Sequence, residues 1–308
     1  MQCFPIPKAV IKKIEDICRR FVWTGNTEVK SRKCPVAWNR VCSRYKQGGL
    51  QIMNLYWWNC ALLMKCLWNI SEKADNLWVR WINCHYLKGM DVMDYDIKNS
   101  NSWMFKGILK QREYMMNMMQ NWNEAKAKRR FVTTKFYNCL NSDGSNVSWA
   151  NVIQNNKAQP RAIVCLWMAC HMRLPTRDRL KRFGMLQESV CLLCHAEEES
   201  HNHLFFECRK TEVVWQSILN WIEVDHKPLK WEDELLWITA VTRGKGWRAM
   251  VVKVGITETI YSIWRLRNDT CFKNNVDNTN IVDRIKDSIV YRLWNIRKFR
   301  QHVARIMM

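Results

Sequence analysis

Glycine and proline are scarce in this chain, at 10 and 6 of 308 residues. That scarcity argues against a fold of many short strands joined by tight turns. No uninterrupted apolar run approaches the ~18 residues needed to span a bilayer, and the opening MQCFPIPKAVIKK contains no apolar segment of signal-peptide length. A glycine-rich phosphate loop and a nucleophile elbow are also missing, which removes the commonest nucleotide-hydrolysing and acyl-transfer sites. Acidic residues are in short supply: 28 Asp and Glu face 49 Lys and Arg, for a formal net charge of +21. Such an excess favours a polyanion, through steering and counterion release. The expected partner is RNA or DNA, bound with low sequence specificity, and no membrane.

Large apolar side chains, by contrast, are plentiful. Hydrophobic residues make up 48% of the chain, with 18 Trp among them, so a packed core is expected and a mainly α fold is the reading. There are also 14 Cys. With no secretory signal in view, their thiols are expected to be reduced and free for core packing or metal. An intracellular location follows, with the nucleus among the candidates.

Helical periodicity is clearest near the two ends. Val10, Ile11, Ile14, Ile17, Cys18 and Phe21 share one spacing behind Pro5 and Pro7. A second helix is expected over Leu50–Leu67 and a third over Leu77–Leu87, with a loop containing Gly25 and Gly48-Gly49 before the second. Residues 106–135 carry eight Lys or Arg against two Glu, including the cluster 126–130. Phe131–Tyr137 reads as a strand or the start of a helix. Further helices are expected over Ile163–Cys170, from an N-cap at Thr176 to a C-cap at Gly184, and over Val213–Ile222. Met250–Phe272 and Ile281–Val303 suggest an αα-hairpin.

The stretch that carries chemistry is Cys191-Leu-Leu-Cys194 followed by His203-Leu-Phe-Phe-Glu-Cys208, a C-x2-C-x8-H-x4-C spacing. Zinc takes four thiolate or imidazole ligands in a tetrahedron. A C-x2-C turn supplies two from one side and a distant His/Cys pair closes the other. About half a C-x2-C arises by chance at this cysteine content, so the added His and third Cys carry the argument. With all four positions filled by protein, the site is structural and leaves no place for an activated water. His201 competes with His203 as the fourth ligand, although Phe205 and Phe206 beneath the turn favour His203. Cys191-Leu-Leu-Cys194-His195 also spells a haem-attachment motif, which belongs to exported or organellar chemistry. Glu197, Glu198 and Glu199, between the ligand pairs, read as a solvated acidic turn.

Leu174-Pro-Thr-Arg-Asp-Arg-Leu180, Cys191-x2-Cys194, His203-Leu-Phe-x2-Cys208 and Trp215 together resemble the reverse-transcriptase zinc-binding domain of plant long interspersed elements. Phe131–Tyr137 is similar to the segment that opens that domain, and Trp167–His171 to its central helix. Cys3–Lys8, Phe21–Gly25, Val36–Trp38, Gly48–Leu50 and Asn59–Lys65 look like the region that follows the polymerase palm. Trp264–Asn268 through Phe272 is similar to the tail after the zinc domain. The resemblance thus extends over nearly the whole chain, with the zinc motif its most specific part.

Polymerases of that family hold their metals on paired Asp residues, and no Asp-Asp pair occurs here. Met93-Asp-Tyr-Asp96 is not that motif. The resemblance therefore implies a fragment beyond the polymerase active site, expected to arise from an internally initiated reading frame of a decayed element. Its expected organisation is a thumb-like helical region over 1–90, a basic linker over 91–130, the zinc-binding domain over 131–222 and a C-terminal helical hairpin or tail over 223–308. The expected function is a noncatalytic nucleic-acid-binding zinc module. Cys191, Cys194, His203 and Cys208 would hold structural Zn2+, and Arg173, Arg177, Arg179, Lys181 and Arg182 would contact phosphates. Trp167 and Phe183 would stack on bases if they do not belong to the core. The alternative is a relic or protein-interaction fragment that binds no nucleic acid.

Overall fold

The computed structural model describes residues 4–28, 35–142, 144–273 and 280–307. Cys3, part of the first resemblance motif, lies outside them. The chain divides into two compact units. One comprises Met1–Arg44 with Gly49–Gly144, and the other Tyr45–Gly48 with Ser145–Met308. The fold is mainly α. Among the described residues there is no strand, only an isolated antiparallel bridge between Val190 and Glu198.

In the first unit, α1 (Lys8–Thr24) begins behind Pro7 and ends on Gly25. That glycine takes a left-handed φ of 70° so that its N–H can return to the Phe21 carbonyl. A short α2 (Trp38–Cys42) follows, and then the buried α3 (Leu55–Ser71). The second expected helix therefore starts five residues later than Leu50. Gln51 holds a positive φ, and the Asn54 side chain caps α3 by accepting the Trp57 N–H at 3.1 Å. Gly49 is obligatory beside this turn, because a Cβ there would stand 1.9 Å from the Ser43 carbonyl oxygen. The third expected helix is split: α4 (Leu77–Ile82) passes into a π-type turn over Asn83–Leu87.

Residues 91–130 are not the basic linker expected from the sequence. They form α5 (Trp103–Leu109), α6 (Gln111–Met116) and α7 (Met119–Ala127), which bury Phe105, Ile108, Leu109, Met115 and Trp122 in one core with Met64, Leu67 and Phe136. Most of the Lys and Arg residues that suggested a linker are exposed, while Arg112 is half-buried and donates to the Leu109, Met93 and Tyr95 carbonyls. Phe131 stacks on Phe136 at 4.2 Å, and α8 (Thr133–Leu140) is a helix, which resolves the strand-or-helix ambiguity. This start of the expected zinc domain packs into the first unit.

The second unit is organised around α14 (Trp247–Phe272), a 26-residue helix buried at almost every position from Ala249 to Ile260. Against it pack α10 (Pro160–Cys170), α12 (Glu212–Trp221) and α13 (Trp231–Val241); α9 (Ala150–Ile153) packs on α10 and α13, and the short α11 (Arg177–Arg182) follows α10. α15 (Ile281–Trp294) also packs on α14, and Ile285, Ile289 and Leu293 are all fully buried. The last expected helix breaks after Trp294, passes through a 3-10 turn at Arg297–Phe299 and resumes as α16 (Arg300–Met307). Trp167 is a core residue: it is fully buried and donates its indole N–H to the Gly48 carbonyl at 2.8 Å. No helix among the described residues is long and apolar enough to cross a membrane.

Candidate metal centre

Cys191 and Cys194 sit at the tip of a narrow hairpin. The Cys191 N–H donates to the Glu197 carbonyl and the Glu199 N–H to the Ser189 carbonyl, both at 2.7 Å, on either side of the Val190–Glu198 bridge. The His195 N–H closes the tip on the Cys191 carbonyl at 3.0 Å. His195 itself takes a positive φ of 54° and is exposed, so it is the turn residue of the hairpin and not a ligand.

The other pair lies on a single π-type turn, His203–Glu207, closed by Cys208 N–H to His203 carbonyl at 2.7 Å. This wider turn explains the x4 spacing. Residues five apart bracket one i-to-i+5 hydrogen bond and present both side chains on one side. Phe205 and Phe206 are buried beneath the turn. The Cys208 carbonyl then accepts from Thr211 and Glu212, leading into α12.

These two turns bring Cys191, Cys194, His203 and Cys208 together. All four are buried, with their ligand atoms within 4.8 Å of one another. A tetrahedron of zinc–sulfur bonds has edges of roughly 3.8 Å, so only a small contraction separates this arrangement from ligation. His203 directs Nε2 at the cluster, 3.3 Å from Cys194 Sγ. A Glu197 carboxylate oxygen lies 3.2 Å from Nδ1, at ion-pair distance though not aligned as a hydrogen bond. A carboxylate in that place favours the ring orientation that turns Nε2 toward a cation. Arg209 donates to the Cys194 carbonyl at 3.0 Å and braces the hairpin tip. Hydrogen bonding between the Cys191 and Cys208 sulfurs lowers the Cys208 pKa and raises that of Cys191.

His201 is not part of the cluster. It is buried against Phe205 and Trp231, its Nε2 has no hydrogen-bond partner, and burial pushes its pKa down to about 4.

The acidic turn is likewise not simply solvated. Glu199 is fully buried and receives Arg267 of α14 through Nε at 3.0 Å and Nη2 at 2.8 Å. The same carboxylate accepts the Arg177 N–H at 3.0 Å, while the Glu199 carbonyl accepts the Asp178 N–H at 3.1 Å. Glu199 thus caps α11. Thr176, expected as the cap, instead turns its hydroxyl to the Asp178 carboxylate. Ser189 donates to Glu198 at 2.6 Å. Sequence reasoning missed these roles because they depend on Arg267, 68 residues away.

The candidate phosphate-binding residues fall into two groups. Arg173 and Lys181 are exposed, and neither has an ion-pair partner among the described residues. Arg179 donates to the Met172 and Leu174 carbonyls, and Arg182 pairs with Asp178 at 2.7 Å. Arg177 is half-buried, with its Nε unpartnered. Burial together with the neighbouring Arg173 and Arg182 charges lowers the Arg179 pKa.

A closed set of three cysteines and one histidine on a hairpin and a π turn is suited to hold a structural metal. Residues 131–215 match the family model for zinc-binding in reverse transcriptase, and this stretch is a reverse-transcriptase zinc-binding region of retroelement type. An uncharacterized mitochondrial protein of Arabidopsis thaliana is 29% identical over 116 residues, 37% of this chain and 75% of that protein. A putative ribonuclease H protein of the same plant is 29% identical over 89 residues, 29% of this chain and 14% of that protein. No solved structure matches this chain.

Proposed function

We propose that this chain is a noncatalytic nucleic-acid-binding fragment of a non-long-terminal-repeat element's reverse transcriptase, with one structural Zn2+ held by Cys191, Cys194, His203 and Cys208. The observation that carries this reading is the connection from the metal cluster to the basic helix. The hairpin that bears Cys191 and Cys194 ends in Glu199, and Glu199 caps the N-terminus of α11. Ordering the hairpin therefore presents Arg173, Arg179, Lys181 and Arg182 as a fixed cationic surface, suited to phosphates without sequence choice. The Lys126–Arg130 cluster and the segment Arg284–Arg305, which carries seven Lys or Arg against Asp287 alone, add charge of the same sign.

Zinc in a closed four-ligand site contributes folding energy and no activated water. No Asp-Asp pair occurs in the sequence to hold two Mg2+ for in-line displacement, and we propose no polymerase or nuclease turnover.

Fluorescence anisotropy with labelled RNA and DNA across a salt series tests the reading. Affinity should fall by an order of magnitude or more between about 50 and about 200 mM salt if roughly four phosphates are neutralised. Replacing Arg179, Lys181 and Arg182 together by Ala should flatten the slope. No binding at low salt would leave a relic or protein-interaction fragment as the better account.

A further inference from the structure

The basic surface next to the zinc hairpin is not flat. A cleft of about 490 Å³ opens between the Met172–Arg173 turn, α11 and the Ser200–Asn202 segment. Arg173, Arg179 and Arg182 line it, with Asp178 as the one acidic side chain among its lining residues. Three guanidinium groups against one carboxylate leave a net charge of about +2 around a recess, a like-charge crowding that an anion relieves. The lowered pKa of Arg179 has this crowding among its causes. His201 also lines the cleft; it is 2% exposed, and its Nε2 has no partner. Phe183 stands at the same cleft and is 64% exposed, with the Arg179 guanidinium 5.6 Å from its ring centre. An aromatic ring left in water beside a cation has no role in the core of the fold.

We infer that this cleft takes one unpaired nucleotide of a single strand, its phosphate held by Arg173, Arg179 and Arg182 and its base laid on Phe183. The inference rests on the nucleic-acid reading and deepens it by naming the strand state and the residues that select it. The recess falls in the size range of small-ligand pockets, about 300–1,000 Å³, and suits a single nucleotide, not a duplex. Guanidinium groups match phosphate oxygens in plane, and stacking on Phe183 requires a base freed from its pair. A base face offers no sequence code, so the preference is for single strands in general.

The test uses the full chain, with labelled oligouridylate and a duplex hairpin of equal length as probes. The wild-type chain should bind the single strand more tightly. Phe183→Ala should weaken single-strand binding about tenfold, with the duplex affinity and the salt slope unchanged. Arg173→Ala with Arg182→Ala should lower the salt slope by about 1–2 for the single strand. Phe183, Arg173 and Arg182 are all exposed, so circular dichroism should be unaltered in both variants, and an unaltered spectrum is the control for folding. If single-strand binding persists unchanged in both variants, or duplex and single strand bind equally, the cleft assignment is overturned while the broader reading stands. If neither probe binds at low salt, the broader reading fails as well.

Discussion

The first unit and the zinc hairpin of the second solve the same problem by opposite means. The first unit buries Phe105, Phe136, Met64 and Leu67 among short helices and stacks Phe131 on Phe136. Its stability follows from apolar area removed from water. The hairpin over Ser189–Glu199 has almost no core of its own, since the buried residues at its tip are the cysteines with Leu193 packed against them. It is held by the Glu199–Arg267 ion pair and by backbone hydrogen bonds, and on our proposal by a metal at the cluster of three cysteines and His203. An apolar core degrades gradually as methyl groups are lost. A polar clasp fails all at once, because each partner left behind is buried and unsatisfied.

The largest expected contrast comes from the metal. Structural zinc in small modules contributes about 10–16 kcal/mol of apparent folding energy, so Cys194→Ser should release it and unfold at least residues 185–222. Hydrogen exchange read by mass spectrometry should show that loss of protection there, with protection over 55–140 retained. Uniform loss across both regions would mean that the metal supports more than its own module.

Next in size is the clasp. Glu199→Ala leaves the Arg267 charge buried and unpaired and α11 uncapped, at a cost of about 3–5 kcal/mol. Denaturant unfolding should show it. The double change Glu199→Leu with Arg267→Met should recover much of that loss, and failure to recover would shift the weight from the ion pair to the α11 cap.

Of comparable size but confined to the other region, Phe105→Ala should cost about 3–5 kcal/mol through the cavity it opens, with zinc content untouched. Smallest is Asn54→Ala, which removes the cap of α3 and should cost about 1 kcal/mol by thermal unfolding.

The same contrast explains what the sequence could reveal. Local chemistry was legible. The ligand spacing, Gly25 behind α1, and the apolar run Ile285, Ile289, Leu293 each sit within a few residues of their structural consequence. Phe205 and Phe206 pointed to His203, which stands in the cysteine cluster, whereas His201 does not. Long-range partners were not legible. Glu199 looked like one of three surface acids because its partner Arg267 lies on another helix. Helices α5 to α7 were hidden by dense Lys and Arg, whose long side chains reach water from partly buried positions. Helix α13 was passed over although Trp231-Glu-Asp-Glu offers an acidic first turn, the favourable sign at a helix N-terminus. His226 and Trp215 both bond Glu234 on that helix, at 2.8 and 2.7 Å, another pairing that local patterns do not announce.

Metal content measured by native mass spectrometry is the most direct test of the central claim. The full chain should carry one zinc, and Cys191→Ser, Cys194→Ser, His203→Ala and Cys208→Ser should each lose it, while His195→Ala and His201→Gln should retain it. A chain purified without bound zinc from zinc-replete medium, or a Cys194→Ser variant that keeps a full equivalent, would contradict the account.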